Sequence, residues 1–268
     1  MTVIQGIILG LIQGLAEFLP ISSSGHLVLL QRIFGLQEGT MTFDIAVHLA
    51  TLIGVFFVFR EDIWAIIKKP FGKLTLLLIA GTIPTAIIGF VFNDMIKGLF
   101  ETGAGLGLGF ILTGILLWYA ESTRNRNKKL NEMKYIDAVV IGIAQGVAVL
   151  PGISRSGSTL AASLIKGLNR EFALKFSFLM SIPVILGAAL KDGYDVLKSG
   201  ASLMSGIEIL PLIAGMIAAV ISGYLAIKFM IKILSKVSFK VFSYYVFALG
   251  GLILIDQIFF GIFFDKIL

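Results

Sequence analysis

Apolar residues dominate this chain in long unbroken runs, not in the one-sided stripes of a water-soluble helix. Six runs, at 42–60, 74–92, 103–120, 171–190, 207–227 and 241–264, are predicted to span a membrane. Each approaches or exceeds the roughly 20 apolar residues that a crossing needs. Two further apolar runs end differently. Residues 3–19 stop at Pro20 and give way to Ser22-Ser23-Ser24-Gly25-His26; residues 136–150 stop at Pro151, before Ser154-Arg155-Ser156-Gly157-Ser158-Thr159. Proline ends a helix by removing a donor and crowding the preceding turn, and serine caps the helix that follows. Each unit therefore predicts a helix, a polar loop and a short helix, a re-entrant hairpin. Irregular backbone at membrane depth survives only inside protein or beside water, so both loops are expected to line a cavity.

The two hairpins are related. Gly10, Gln13, Gly14, Ala16, Ile21, Ser22, Ser24 and Gly25 recur 132 positions later as Gly142, Gln145, Gly146, Ala148, Ile153, Ser154, Ser156 and Gly157. Weaker matches continue the repeat: Ala80-Gly81 and Gly89 with Ala214-Gly215 and Gly223, then Phe110 and Gly114 with Phe247 and Gly251. Each half holds one hairpin and three spans, an odd number, so the second half is expected to enter the membrane inverted. The predicted fold is an all-α polytopic membrane protein with an inverted-topology repeat. It is a single membrane domain over 1–268, with repeats at 1–121 and 136–268 and a basic linker at 122–135.

Composition and charge agree. Hydrophobic residues make up 57% of the 268 and charged residues only 14%, where soluble chains carry about 25% charged. The absence of cysteine excludes disulfide, zinc-thiolate and thiol chemistry. No basic residue precedes Arg32, so a cleaved signal peptide is not expected. The net charge of +6 sits in short loops and is read as topology signal and headgroup contact, not as nucleic-acid binding. Loops 60–73, 121–135 and 228–240 carry thirteen basic residues, against five (Arg32, Lys97, Lys191, Lys198 and Lys266) on the opposite side. The positive-inside rule makes the rich side cytoplasmic and both termini outward. Hairpin one then dips in from outside, hairpin two from the cytoplasm, and their loops meet near the midplane.

Chemistry lies where the copies differ. Glu17, Ser23 and His26 in the first stand opposite Val149, Arg155 and Ser158 in the second. Gln13 and Glu17, four residues apart, share a helix face just before the serine loop. A carboxylate in an apolar hairpin is costly and therefore a functional candidate; a hydrated, idle surface Glu is the bland account. Ser22, Ser23, Ser24 and His26 place hydroxyls, helix-terminal N–H groups and an imidazole in one turn, suited to phosphate, although simple capping would need one serine only. Arg155 offers a permanently charged fork for phosphate oxygens; a structural salt bridge to Glu17 is its bland account. Asp44 and His48 share a face of the first span, as an ion pair, a minor metal contact or an entrance lining. Gly10/Gly14 and Gly142/Gly146 permit close helix approach. Gly103, Gly105, Gly107 and Gly109 are read as packing within a span. Asp256 is expected to cap the last span, and Lys175 to snorkel.

The run Gln13-Gly-Leu-Ala-Glu17-Phe-Leu-Pro20-Ile-Ser-Ser-Ser-Gly-His26, with Pro151-Gly-Ile-Ser-Arg155-Ser-Gly-Ser-Thr159, resembles the bacterial undecaprenyl-diphosphate phosphatase (bacitracin-resistance) family across the whole chain. The resemblance implies an inner-membrane hydrolase that removes the terminal phosphate of a C55 isoprenyl diphosphate and so recycles the lipid carrier for cell-wall synthesis. It implies catalytic roles for Glu17, Ser23, His26 and Arg155, and substrate binding by Gln13, Ser22, Ser24, Ser154, Ser156 and Thr159. It further implies stimulation by a divalent cation, Mg or Ca, with no organic cofactor. The family allows Glu or Gln at position 13. Gln here weakens any two-carboxylate ion site, so the ion is expected to arrive with the diphosphate and no metal ligands are assigned. Expected partners are the long-chain isoprenyl diphosphate and the bilayer, not nucleic acid; the oligomeric state stays open, a homodimer included. The attacking group is Ser23, His26 or water, with Ser23 favoured as the position opposite Arg155. The rival reading is a secondary transporter or lipid flippase on the same inverted repeat.

Overall fold

A computed structural model describes residues 1–36, 40–123, 126–198, 208–233 and 237–264. Helices account for about four-fifths of them, and among the described residues no β-strand forms. Hairpin one is α1 (Val3–Phe18) and α2 (Ser23–Ile33). It is followed by α3 (Thr40–Val58), α4 (Arg60–Lys68), α5 (Lys73–Val91), α6 (Asn93–Thr102) and α7 (Leu106–Ser122). Hairpin two is α8 (Tyr135–Val147) and α9 (Arg155–Ile165), followed by α10 (Arg170–Lys198), α11 (Ile209–Ile233) and α12 (Lys240–Ile255), which ends in a π-helical turn, Asp256–Phe260.

Among the described residues, five helices are long and apolar enough to cross a membrane: α3, α5, α10, α11 and α12 with its π turn. A sixth crossing exists if α6 and α7, bent by 109° at their junction, form one span. Here the structure corrects the expected span at 103–120. Gly103 and Gly105 adopt left-handed φ values of 69° and 78°, which only glycine takes without strain, so the chain turns there and α7 starts at Leu106. Of the four alternating glycines, two make this turn. The other two pack: Gly107 lies against the Gly250 carbonyl, and Gly109 against Pro151 and Gly152.

The hairpin helices pack across the two halves of the chain, α1 on α11 and α8 on α5. Gly10 meets the backbone of Gly215, and Gly142 meets that of Gly81, so each pair of helices touches backbone to backbone. Thr85 Oγ1 donates to the Gly142 carbonyl at 2.8 Å, and Ser222 Oγ to that of Gly10 at 3.4 Å. A Cβ at Gly142 would overlap the Gly81 carbonyl oxygen. Gly142→Ala is therefore expected to destabilise the protein by about 1–3 kcal/mol through overpacking. Gly187→Ala, at a position where a Cβ meets nothing within 4 Å, should leave stability unchanged. Thermal unfolding of both variants in detergent checks this, and equal melting temperatures would contradict the packing account.

Two groups of ionic contacts lie away from Glu17 among the described residues. Glu121 pairs with Arg126 and Arg170, and Asp137 with Lys128 and Lys166. Separately, Asp195 pairs with Lys97 and Lys191. Lys175, its side chain 37% exposed, reaches out to pair with Asp62 at 2.6 Å. The Asp256 carboxylate accepts from the backbone of Ile262, Phe263 and Phe264, closing the turn after the last helix. Arg124, Lys236 and Lys266, counted in the charge asymmetry, lie outside the described residues.

Candidate active site

Both serine loops begin short helices, but their backbones differ. Ser22 caps α2, accepting from Gly25 N at 3.3 Å, with φ 70° and ψ 92°. A non-glycine residue at positive φ costs about 1–3 kcal/mol and persists only where its surroundings impose it. His26 supplies part of that constraint, since its Nδ1 donates to the Ser22 carbonyl at 2.7 Å. In the second loop Ser154 caps α9 at φ −73°, and the positive φ falls on Gly152. Arg155 is thus the first residue of α9, and Ser23 the first of α2.

The loops meet at Glu17, which is buried at the end of α1. Arg155 Nη2 donates to Glu17 Oε1 at 2.5 Å across 138 residues of chain. The other carboxylate oxygen, Oε2, accepts from Ser23 Oγ at 2.6 Å and from Gln13 Nε2 at 3.0 Å, and lies 3.6 Å from His48 Nε2. Ser156 Oγ donates to the Leu19 carbonyl at 3.0 Å, a second tie between the hairpins. The salt bridge weighed from sequence is present, yet it does not exhaust the guanidinium. Arg155 Nη1 is buried with no hydrogen-bond partner, as is Gln13 Oε1. Buried polar atoms are almost always satisfied, so the leftover donor on the Arg155 fork is a candidate contact for an anion.

The other predicted residues divide. Ser154 Oγ accepts from Gly157 N at 3.0 Å and its own N–H donates to Thr113 Oγ1 at 2.9 Å. Thr159 Oγ1, fully buried, bonds the Arg155 carbonyl at 2.9 Å and Ser177 Oγ at 2.5 Å. These contacts hold the α9 N-terminus in place. Ser24 is half-buried in the first turn of α2. His26 is engaged elsewhere than at the carboxylate: its Nδ1 bonds the Ser22 carbonyl, its Nε2 bonds the Tyr245 hydroxyl at 2.7 Å, and its ring lies edge-on to Phe110.

Two residues join the site that the sequence did not assign to it. Tyr245 lies 219 residues from His26, with no local pattern to link them. His48 had a signal, its spacing from Asp44, but its partner is Glu17. His48 Nδ1 donates to the Asp44 carbonyl at 2.7 Å, while the Asp44 carboxylate accepts from Gln31 at 2.7 Å. Among the described residues no cluster of three or more His, Cys, Asp or Glu side chains forms a metal cage. Glu17 offers one carboxylate, and both of its oxygens already accept hydrogen bonds from protein donors.

Comparison with known proteins accounts for nearly the whole chain. Residues 6–252 match the family model for bacitracin resistance protein BacA. An undecaprenyl-diphosphatase of Carboxydothermus hydrogenoformans is 55% identical over 253 residues, covering 94% of this chain and 97% of the relative. One from Halothermothrix orenii is 46% identical over 257 residues, covering 95% and 98%. Undecaprenyl-diphosphatase 4 of Bacillus cereus is 44% identical over 254 residues, covering 95% and 97%. By this match over more than nine-tenths of its length, and with Glu17 and Arg155 joined where the two serine loops meet, the chain belongs to the bacitracin resistance protein BacA family.

Proposed function

We propose that this protein is an integral-membrane phosphatase that hydrolyses undecaprenyl diphosphate to undecaprenyl phosphate and inorganic phosphate, recycling the lipid carrier for cell-wall synthesis. The observation that carries the reading is the unpartnered Nη1 of Arg155 beside the Ser23–Glu17 hydrogen bond. Phosphoryl transfer depends chiefly on positioning and on neutralising charge at the equatorial oxygens. Arg155 and the N–H groups opening α2 and α9 supply that charge. The 2.6 Å bond to Glu17 supports Ser23 as the attacking hydroxyl with Glu17 as its base. His26, with both nitrogens engaged, fits better as the group that holds the Ser22 turn.

A dedicated protein cage for a divalent ion does not fit these residues. On this reading the ion is held mainly by phosphate oxygens of the substrate, as magnesium commonly is. The inverted repeat is part of the same proposal. It is supported by the matching contacts of Gly10 with Gly215 and of Gly142 with Gly81, which exchange under the repeat. The separate grouping of Asp137 and Glu121 with the basic linker, and of Asp195 with Lys97 and Lys191, supports opposite membrane faces. Outward termini follow from the positive-inside rule, while the bacterial plasma membrane and an outward-opening site follow from the family resemblance.

Detergent-solubilised protein is expected to release phosphate from undecaprenyl diphosphate, a setting in which no transport can occur. Silence in detergent, with lipid flux in sealed vesicles, would favour the transporter reading instead. Rapid-quench trapping should yield a phosphoserine at Ser23; its absence during turnover points to direct attack by water.

A further inference from the structure

Hydrolysis at neutral pH leaves a proton to be disposed of. As the Ser23 oxygen bonds the terminal phosphorus, the bridging P–O bond breaks and its electron pair stays with undecaprenyl phosphate. With a second ionisation near pH 6, typical of phosphate monoesters (about 6), that leaving group needs no proton at pH 7.5. The Ser23 proton passes to Glu17. In the second step water gives its own proton to Glu17 as its oxygen bonds phosphorus, and Ser23 departs with one. The balance is one proton released per turnover, and it is the same if water attacks directly. Glu17 has only 4% of its side chain exposed, so the proton needs a carrier.

We infer that His48 is that carrier, a positioning and relay residue that takes the proton from Glu17 Oε2 and hands it to water on the open side of the site; this rests on the phosphatase reading. Three observations place it there. His48 Nδ1 faces the Asp44 carbonyl at 2.7 Å, and a carbonyl only accepts, so Nδ1 carries the hydrogen. Nε2 is left as the proton-accepting atom, and it lies 3.6 Å from Glu17 Oε2, the oxygen that also holds Ser23. The His48 side chain is 27% exposed, so it reaches from the buried carboxylate to the surface of the protein. His26 offers no such route, since its nitrogens are bonded to Ser22 and Tyr245.

The charges around His48 suit a group that gains and loses a proton. Glu17 faces it from α1, Asp44 lies one turn back on α3, and Asp192 of α10 is within electrostatic reach. Arg155 of α9 sits on the far side of Glu17. The stretch of α11 alongside, 216–223, carries no ionisable side chain.

The test is phosphate release in detergent between pH 5.5 and 8.5 by the wild type, His48→Gln and His48→Ala. Wild-type kcat should fall on the acid side of this range. In H48Q, kcat at pH 7.5 should drop by about tenfold or more, a modest share of a typical proton-transfer contribution, and the acid limb should vanish while KM stays unchanged. Added imidazole should restore H48A several-fold, which a packing role would not allow. Variants with wild-type kcat and pH profile would overturn the relay. So would a loss of rate with the acid limb intact and no response to imidazole. A wild type that releases no phosphate would overturn the phosphatase reading as well, which separates the two failures.

Discussion

Arg155→Ala is expected to lower phosphate release from undecaprenyl diphosphate by about 10³-fold or more, the scale on which transition-state arginines act in phosphoryl transfer. Arg155 has two uses for its fork: Nη2 binds Glu17 at 2.5 Å, and Nη1 is buried without a partner. Substrate phosphate would take the free nitrogen. Alanine removes both, and it also strands a buried carboxylate, which typically costs about 3–5 kcal/mol in a broken buried pair. Arg155→Lys therefore accompanies it. Lysine keeps the charge and loses the planar fork, so it should fold with near wild-type stability yet remain at least about 10²-fold slow, the larger part of an arginine's contribution being geometric here. Phosphate release, measured on protein that is monodisperse in detergent, checks both. Wild-type rates in R155K would mean that a point charge suffices and that the fork geometry carries nothing.

Glu17→Gln is the second large effect. Glutamine keeps the size and can still accept from Ser23, but it cannot take a proton. The expected loss in kcat is about 10²–10⁴-fold, the usual contribution of a general base. KM should change little, since Glu17 is occupied by Ser23, Gln13 and Arg155 and not aimed at a free phosphate site. A raised KM with unchanged kcat would instead make Glu17 a binding residue. Single-turnover measurements on E17Q separate these outcomes, because the loss should appear in the chemical step.

Much of this architecture is legible in the sequence, for physical reasons. Long apolar runs announce spans because the bilayer demands about 20 apolar residues. Pro20 and Pro151 announce the hairpins because they stop helices where serines can restart them. Glu17 and Arg155 stand out because charge in such surroundings is expensive. The bend before α7 is less visible: Gly103 and Gly105 look like packing glycines until their φ values show that they turn the chain. His48 and Tyr245 are the harder cases. Each meets the site through the tertiary packing of α3 and α12, and no periodicity within either helix says which distant residue it will touch. His26 illustrates the converse. Its place in the serine motif suggests chemistry, while its two hydrogen bonds tie it to the loop backbone and to Tyr245.

The central claim is that two diverged hairpins, one bringing Glu17 and Ser23 and the other Arg155, make one hydrolytic site. A double-mutant cycle on phosphate release tests it most directly, using E17Q, R155K and the double variant. Residues that act as a unit lose activity non-additively. The double variant is therefore predicted to be about as slow as the slower single variant. Losses that multiply, or full activity in E17Q, would contradict a shared site built from both halves of the chain.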